Sequence, residues 1–241
     1  MSAKEKQLVV VTGASSGIGL AMTKRLLDKN YLVLGISKNF DQPQFEHENF
    51  SYNQIDMAKL DELPERIAEI VAGIERNGNV LKALVNNAGI GKMGFLEQLS
   101  IKDMRLVMDT NFMSHAIVTK LFVPLLKKQG HGDIVFTGSE AALKGARQGS
   151  IYCASKFAIR GFSQALREEC GKSNVRVTLI NPGAVRTPFF DDLHFEPGAE
   201  KENALEPDDI AKVLLSVIEA RPGTVFDEIS LSPLNHVWQR K

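Results

Sequence analysis

The chain of 241 residues carries 29 acidic and 29 basic side chains, and this balance gives no reason to expect a nucleic-acid-binding surface. With 44% hydrophobic and 24% charged residues it has the composition of a globular protein, and no linker-like stretch divides it, so we expect a single domain over residues 1–241. The five histidines are scattered without zinc-ligand spacing, so the sequence predicts no metal site.

Nothing in the sequence predicts a membrane segment or a signal peptide. No stretch approaches the eighteen apolar residues of a membrane span, and the polar first residues run directly into a predicted strand. The two cysteines, Cys153 and Cys170, make no disulfide framework and suit a reducing compartment. We therefore expect a cytoplasmic protein.

Short β-rich apolar runs alternate with longer helical patterns along the chain. The runs cover residues 8–12, 32–36, 50–54, 81–86, 133–137, 175–181 and 226–231, and the helical patterns cover residues 17–29, 58–76, 103–128, 151–171 and 207–220. Near-continuous apolar strands separated by helices predict a parallel sheet that is covered on both faces. The predicted fold is therefore α/β, a single doubly wound Rossmann domain with a seven-stranded parallel sheet. Ligands of such sheets bind beyond the carboxyl ends of the strands.

A glycine-rich turn follows the first predicted strand. It reads Thr12-Gly-Ala-Ser-Ser-Gly-Ile-Gly19 and leads directly into the first helical pattern. Glycines let the backbone approach a diphosphate closely, and a helix N-terminus offers unpaired N–H groups. The spacing differs from the common Gly-x-Gly-x-x-Gly, but its place between the first strand and the first helix predicts a dinucleotide site.

The end of the second predicted strand bears on which dinucleotide binds. Ser37 and Lys38 stand where a carboxylate would bind the ribose 2′-hydroxyl of NAD. A hydroxyl beside an ammonium suits the 2′-phosphate of NADP instead. Lys38 as a solvated loop residue is the alternative, and two features count against NADP, namely Asp41 close by and the serines Ser15 and Ser16 where another basic residue would favour it. The sequence favours NADP over NAD.

A tyrosine and a lysine lie one helical turn apart near the start of the pattern at 151–171. At the spacing i and i+4 the Lys156 ammonium shares a helix face with the Tyr152 phenol. A nearby positive charge lowers the pKa of a tyrosine, so the pair predicts a phenol that exchanges a proton with an alcohol or a carbonyl. Ser139, thirteen residues upstream, adds a hydroxyl. Alone, the Tyr-x-x-x-Lys spacing is common on surface helices.

In their order along the chain, these motifs resemble those of the short-chain dehydrogenase/reductase family, and the resemblance covers nearly the whole sequence. The glycine turn is similar to the cofactor motif of that family, and Asn86-Asn-Ala-Gly89 is similar to its second signature. Asn181-Pro-Gly183 with Thr187 resembles its cofactor segment after the sixth strand. The residues that the resemblance assigns to the cofactor are Gly13, Ser15, Ser16, Gly17, Ile18, Gly19, Ser37, Lys38, Asp56, Met57, Asn87, Ala88, Gly89, Tyr152, Lys156, Pro182, Gly183, Val185 and Thr187.

The resemblance also implies catalytic roles for four residues. Tyr152 would exchange a proton with the substrate oxygen, while Lys156 would lower its pKa and bind the nicotinamide ribose. Ser139 would donate a hydrogen bond to the reacting oxygen. Asn111 would hold a water that links Lys156 to solvent, although a role in bracing a helix kink is the alternative for this residue. The implied activity is hydride transfer between NADP(H) and a small alcohol or carbonyl compound.

The substrate is less well defined by the sequence. Residues 186–206 form a long connection that we predict to be a lid, and its phenylalanines suggest an apolar wall. Lys144, Arg147 and Arg186 are candidates for binding a substrate carboxylate, although solvated loop cations are commoner. The C-terminal stretch at 228–238 resembles the ending of the NADP-dependent 3-hydroxy acid and serine dehydrogenases of the family. A small hydroxy acid or its semialdehyde is therefore one candidate, and a generic ketone or aldehyde is equally compatible.

Two other functions are compatible with the fold. A cofactor-sensing regulator without chemistry would typically lose the tyrosine or the lysine, and this chain keeps both. An epimerase or dehydratase with retained cofactor usually carries a larger substrate domain after the sixth strand. Members of the family commonly pair the helices that correspond to 103–128 and 151–171, so we expect a homodimer or homotetramer, and the only other partner expected is the small-molecule substrate.

Overall fold

The computed structural model describes residues 6–39 and 46–241. Asp41, which bears on the choice of dinucleotide, lies outside the described residues. The strands of the main sheet are β1 (Leu8–Thr12), β2 (Leu32–Ser37), β3 (Phe50–Gln54), β4 (Leu81–Asn86), β5 (Gly132–Thr137) and β6 (Val175–Pro182), together with β8 (Glu228–Leu231), while β7 (Phe195–Pro197) and β9 (Trp238–Arg240) form a separate pair.

The main sheet has seven strands in the order β3-β2-β1-β4-β5-β6-β8, and every neighbouring pair runs parallel. The strand order reverses between β1 and β4, so a crevice opens there at the carboxyl ends of the strands. The prediction of a single doubly wound domain with a seven-stranded parallel sheet is confirmed.

Helices cover both faces of the sheet because the strands are apolar on both sides. The helices are α1 (Gly17–Asp28), α2 (Leu63–Arg76), α3 (Ile101–Met108), α4 (Ser114–Gln129), α5 (Ser150–Cys170) and α6 (Pro207–Ile218). On one face α1 and α6 bury side chains such as Met22 and Leu214 against the sheet. On the other face α2, α4 and α5 contribute the second core, which includes Phe122 and Ile159.

Most predicted helices agree with the observed ones to within two residues at each end, and two differ more. The second begins at Leu63 rather than at residue 58, because the Asp56 carboxylate accepts a hydrogen bond from the Ala58 N–H at 3.0 Å and closes a turn there. The pattern at 103–128 is helical throughout in the structure, but it is not a single α-helix. A π-helical stretch at Asp109–Met113 lies between α3 and α4. An inserted turn of this kind is common at functional sites.

The segment after β6 contains structure that the sequence did not predict. Pro188–Phe190 and Lys201–Asn203 form short 3₁₀ turns, and β7 pairs antiparallel with β9 from the end of the chain. The last strand of the main sheet begins at Glu228 rather than at residue 226. Within the described ranges, no helix is long and apolar enough to cross a membrane, and no group of three or more His, Cys, Asp or Glu side chains is arranged to hold a metal ion.

Candidate active site

One continuous cleft of roughly 1380 Å³ lies beyond the carboxyl ends of the parallel strands. Ser37 and Asp56 line one end of it, Tyr152 and Lys156 the middle, and Phe189 the other end. Pockets for single small molecules typically occupy about 300–1,000 Å³, so this cleft is large enough for a dinucleotide and a second molecule. Most of the predicted site residues lie on its wall. Three do not, namely Ser15, Gly19 and Asn111. Each of these lies behind the wall and contacts a residue of the segments that form it.

The glycine turn after β1 is built by very close backbone packing. Gly13 adopts φ +68°, and a Cβ at this position would lie 2.9 Å from Ala88 Cα. A Cβ on Gly19 would overlap the Gly13 carbonyl and lie 2.6 Å from Asn87 Nδ2. Any larger residue would therefore push the turn away from the segment after β4.

The N-terminus of α1 faces the cleft without a side-chain cap. Ser16 occupies the cap position but its hydroxyl makes no capping hydrogen bond, and the Gly17 and Ile18 backbone lines the cleft. The first N–H groups of a helix have no partner within the helix, and they carry the positive end of its dipole. This arrangement fits a diphosphate. Thr187 approaches from the far side, since a Cβ on Gly17 would lie 3.2 Å from Thr187 Cγ2.

At the end of β2 two polar contacts shape one end of the cleft. The Ser15 and Ser37 hydroxyls are 2.7 Å apart, and Lys38 Nζ lies 3.1 Å from Asp56 Oδ2. The Lys38 side chain is 67% exposed and can therefore reorient at little cost. Burial tends to raise the pKa of Asp56, but the hydrogen bond from the Ala58 N–H and the Lys38 ammonium outweigh it and hold this pKa below its ordinary value. Met57 is buried beside them and also lines the cleft.

The segment after β4 is fixed by the Thr12 side chain. Its hydroxyl accepts hydrogen bonds from the N–H groups of Asn87 at 2.9 Å and Ala88 at 3.1 Å. The Asn87 amide donates in turn to the Thr12 carbonyl at 3.1 Å and accepts from the Thr137 hydroxyl at 3.1 Å. The turns after β1 and β4 and the end of β5 thus form one rigid wall, which also carries Gly89.

Ser139, Tyr152 and Lys156 meet in the middle of the cleft. Tyr152 and Lys156 are 9% and 4% exposed, on the first turns of α5. Lys156 Nζ donates to the Thr137 carbonyl at 3.0 Å and lies 5.7 Å from the Tyr152 ring centroid. Ser139 Oγ accepts a hydrogen bond from the Ala141 N–H at 3.1 Å, so its own O–H proton stays available to donate.

The pKa values of the tyrosine and the lysine are dominated by burial. Burial raises the pKa of Tyr152 to about 12, the hydrogen bond with Ser139 opposes this rise, and the charges of Cys153 and Glu140 add to it. Burial lowers the pKa of Lys156 from 10.5 to about 8. Burial thus dominates the Tyr152 pKa in this structure, and the lowering by Lys156 that the resemblance implies stays a prediction.

Asn111 lies in the π-helical stretch, behind the wall of the cleft. It is fully buried, with its Oδ1 accepting from the Ile90 N–H at 2.9 Å and its Nδ2 donating to the Ile90 carbonyl at 3.0 Å and to Ser155 Oγ at 3.1 Å. Asn111 therefore ties the segment after β4 to α5. Its side chain is occupied by these three bonds.

The segment after β6 closes the wall beside Tyr152. Pro182, Gly183, Val185 and Thr187 line the cleft. Val185 forms a parallel bridge with Leu205, and the Thr187 hydroxyl caps the 3₁₀ turn that carries Phe189. Asn181 holds the opposite side of this wall, since its Oδ1 accepts from the Ser139 N–H at 3.2 Å.

This order of motifs and this geometry agree with the outcome of sequence comparison. Residues 7–196 match the family described as short chain dehydrogenase. The chain belongs to that family. It is therefore an oxidoreductase that acts on alcohol or carbonyl groups.

Known relatives of this short-chain dehydrogenase resemble it over almost its whole length. A sepiapterin reductase from Chlorobaculum tepidum is 32% identical over 245 residues, which cover 95% of this chain and 96% of the relative. The structure of an alcohol dehydrogenase from the archaeon Thermococcus sibiricus, complexed with 5-hydroxy-NADP, superposes with a TM-score of 0.84 at 27% identity and covers 98% of this chain and 99% of that one. The structure of a serine dehydrogenase from Escherichia coli superposes with a TM-score of 0.79 at 25% identity and covers 93% and 97%.

Of the three cations that the sequence suggested for binding a substrate carboxylate, two line the cleft and one does not. Lys144 and Arg147 line the cleft of the short-chain dehydrogenase, and the Arg147 guanidinium lies over the Phe95 ring. Arg186 does not line it. Its guanidinium donates to the carbonyls of residues 198–200 and pairs with Glu206 at 3.7 Å, so it organises the connection at 186–206 instead.

The sequence did not predict two features of the site. One is the tail at residues 235–241, which lies against the connection at 186–206: Trp238 packs on Phe190 and Phe195, and Lys241 Nζ donates to the Phe190 carbonyl at 2.6 Å. Five of its residues line the cleft. The aromatic side chains at both ends of this contact are the only sequence signal that could have indicated it.

The second missed feature is His115 on α4. Its side chain is fully buried, Nε2 lies 2.8 Å from the Ala88 carbonyl, and Nδ1 has no hydrogen-bond partner among the described residues. Because a carbonyl only accepts, Nε2 carries the proton. Burial lowers the pKa of His115 to about 3, and the charge of Lys156 adds to this effect. A neutral histidine thus braces the segment after β4 from behind, and no spacing in the sequence indicates such a role.

Proposed function

We propose that this chain is an NADP(H)-dependent alcohol dehydrogenase or carbonyl reductase that works through Ser139, Tyr152 and Lys156. The observation that carries the proposal is the convergence of these three side chains in the same cleft as the glycine turn, the open N-terminus of α1 and the end of β2. A small alcohol or carbonyl compound is the substrate, and a hydroxy acid or its semialdehyde is one candidate. The Escherichia coli serine dehydrogenase that resembles the chain supports this candidate.

In this proposal NADP(H) supplies the hydride that joins or leaves the substrate carbon. Tyr152 gives its phenolic proton to the carbonyl oxygen during reduction and takes it from the alcohol during oxidation. Its raised pKa keeps the phenol protonated and ready to donate at neutral pH. Ser139 donates a hydrogen bond to the same oxygen and stabilises the charge that develops there. Lys156, with a pKa of about 8, exchanges protons easily and stabilises the phenolate by its charge.

Asn111 has a positioning role in the proposal. Its bonds to Ile90 and Ser155 fix the segment after β4 against the helix that carries Tyr152 and Lys156. The role in holding a water that the family resemblance implies for Asn111 stays a prediction.

The choice of NADP over NAD is supported by the end of β2. Among the described residues there, Ser37 and Lys38 line the cleft and no carboxylate replaces them. Asp56, which lines the same part of the cleft, is paired with Lys38. A 2′-phosphate would attract the ammonium strongly, and the exposed Lys38 side chain is able to reach it. The Thermococcus sibiricus relative with its NADP derivative supports the same choice.

We further propose that residues 186–206 act as a lid over the substrate. Phe189 lies on the side of the lid that faces the cleft, because the centroid of the Phe189 ring lies 5.7 Å from that of the Tyr152 ring. A Cβ on Gly91 would lie 2.6 Å from Phe189 Cζ, so the lid packs closely against the segment after β4.

A homodimer or homotetramer through α4 and α5 is part of the proposal, and Phe157 on α5, which is 43% exposed, supports it. The two unpaired, buried cysteines support a cytoplasmic location.

An assay of NADPH oxidation against a panel of aldehydes and ketones tests the proposal. We expect turnover by the wild type and a loss of roughly 10²–10⁴-fold in kcat for Tyr152→Phe, because this variant removes the acidic proton and little else. Tyr52→Phe, which alters an exposed tyrosine on β3, is the matched control and should keep the wild-type rate. Equal rates for wild type and Tyr152→Phe would reject the assignment and favour a cofactor-sensing protein. Turnover without net cofactor consumption would favour an epimerase or dehydratase.

A further inference from the structure

A glutamate stands at the reacting end of the cleft, immediately after the catalytic serine. Glu140 begins the 3₁₀ turn that Ser139 caps, and its side chain lines the cleft at 26% exposure. The proposed mechanism does not use this carboxylate. Glu140 follows directly on Ser139 in the chain and lines the same cleft as Tyr152.

The surroundings of Glu140 place its carboxylate between the end of β6 and the tail. A Cβ on Gly183 would lie 3.5 Å from Glu140 Oε2. His236 Nδ1 lies 3.9 Å from the same oxygen, which is too long for a hydrogen bond. No side chain or backbone group of the described chain donates a hydrogen bond to this carboxylate. Lys144 and Arg147 line the same cleft but form no ion pair with it.

A partly buried carboxylate that accepts no hydrogen bond from the protein still needs donors, because it has lost part of its contact with water. A carboxylate accepts hydrogen bonds and donates none when it is ionised. The group that satisfies Glu140 therefore has to be a donor that enters the cleft. Water can fill this role when no substrate is bound, and a substrate donor can replace it.

We propose that Glu140 determines specificity by accepting a hydrogen bond from a hydroxyl or ammonium group on the carbon next to the reacting carbonyl. The preferred substrates are thus α-hydroxy or α-amino carbonyl compounds and the corresponding vicinal diols or amino alcohols. The same carboxylate repels a substrate with a carboxylate on the carbonyl carbon, so 2-oxo acids are rejected. This inference rests on the proposed function of the same site.

The electrostatic influence of Glu140 on Tyr152 agrees with its placement. The negative charge of Glu140 contributes to the raised pKa of the Tyr152 phenol, as expected for two groups on the wall of the same cleft. A donor held by Glu140 therefore lies in the same cleft as the oxygen that Tyr152 protonates.

Matched ketones test the inference. 2-Hydroxyacetophenone and propiophenone differ only in a hydroxyl that replaces a methyl of similar size, and hydroxyacetone and butanone form a second such pair. With NADPH we expect kcat/KM to be at least about tenfold higher for the hydroxy compound of each pair, because a hydrogen bond to a charged group has this effect. Phenylglyoxylate should be the poorest of the aromatic substrates.

Variants of Glu140 separate recognition from structure. Glu140→Leu should abolish the preference and bring the two ketones of each pair to similar kcat/KM. Glu140→Gln should reduce the preference and allow phenylglyoxylate to be reduced, because the negative charge is gone. Glu69→Gln, an exposed glutamate on α2, is the matched control and should retain the wild-type ratios. His236→Ala tests whether Glu140 merely holds the tail, and it too should retain the preference.

The outcomes distinguish the inference from the function on which it rests. If neither pair is reduced, nor any other carbonyl compound, the proposed function is wrong. If the wild type reduces both members of each pair equally well, Glu140 does not recognise this group and the inference fails. A loss of preference in His236→Ala equal to that in Glu140→Leu would also overturn it, because the effect would then arise from the tail. A shift of the basic limb of the kcat profile to lower pH in Glu140→Gln would support the placement of the carboxylate near Tyr152.

Discussion

Lys38 contacts Asp56 at the end of β2, and this contact is exposed to solvent. Its ammonium lies 3.1 Å from Asp56, yet its side chain is 67% exposed, so water weakens the pair and the lysine can leave it at little cost. Asp56 keeps its hydrogen bond from the Ala58 N–H when this happens. The pair with Asp56 therefore holds the Lys38 ammonium only weakly, and a phosphate can attract this ammonium more strongly.

Replacement of Lys38 tests this role. We expect Lys38→Ala to raise the KM for NADPH by roughly tenfold and to leave the KM for NADH nearly unchanged, because only NADPH carries the 2′-phosphate. Steady-state kinetics with both cofactors measure the effect. Lys59→Ala, which removes a neighbouring exposed lysine paired with Glu62, should change neither value. A wild-type preference for NADH, or an unchanged NADPH constant in Lys38→Ala, would overturn the choice of NADP.

At the scale of the elements, the turn between β1 and α1 depends on the absence of side chains. Gly19 lies inside the first turn of α1 and packs on the Gly13 carbonyl, where no Cβ fits. The helix can therefore approach the segment after β4 closely enough to keep its N-terminus directed at the cleft. Gly73 in α2 offers a contrast, because a Cβ at that position would meet nothing within 4 Å.

Alanine substitutions at these two glycines should have opposite effects. Gly19→Ala forces a backbone shift, and we expect lower thermal stability and a loss of NADPH binding. Gly73→Ala should raise the free energy of unfolding by about 0.5–1 kcal/mol, because alanine favours a helix over glycine and the added methyl meets no neighbour. Urea unfolding and NADPH titration measure both. Unchanged NADPH affinity in Gly19→Ala would contradict the account of the turn.

How far the sequence predicts this molecule differs between its elements. The apolar runs predict the seven strands of the main sheet because burial on both faces leaves a strong local pattern, and Ser139, Tyr152 and Lys156 are found through motif and order. The pairing of β7 with β9 is not predictable in the same way, since it joins two short segments about forty residues apart with no alternation of their own. The role of His115 is equally hidden, because it depends on a contact with Ala88 across the interior.

For the molecule as a whole, His115 connects the stability of the fold with pH. Its pKa is about 3 in the folded protein and about 6.5 in an unfolded chain. Between these values the unfolded chain binds a proton that the folded protein does not, so the contribution to stability is complete above pH 6.5 and is lost as the pH falls. The charged group that faces it is Lys156, and protonation of both would leave two buried charges together.

A variant without this histidine should therefore be less sensitive to acid. We expect the free energy of unfolding to fall by about 1.6 kcal/mol more in the wild type than in His115→Gln between pH 6.5 and pH 5. Glutamine is chosen because its amide can still donate to the Ala88 carbonyl. His131→Gln, at an exposed histidine, should follow the wild type. Equal acid sensitivity of wild type and His115→Gln would show that other groups control the loss of stability. Urea unfolding at several pH values measures the difference.

The position of Trp238 makes the segment at 186–206 accessible to spectroscopy. It is the single tryptophan of the chain, it is half exposed, and its ring packs on Phe190 and Phe195. Its emission spectrum therefore reports one place only, the contact between the tail and this segment. Opening of that contact would expose the indole to water and shift its emission to the red. Quenching by acrylamide, followed during titration with NADPH and then with a ketone, would show when the segment moves without any added label.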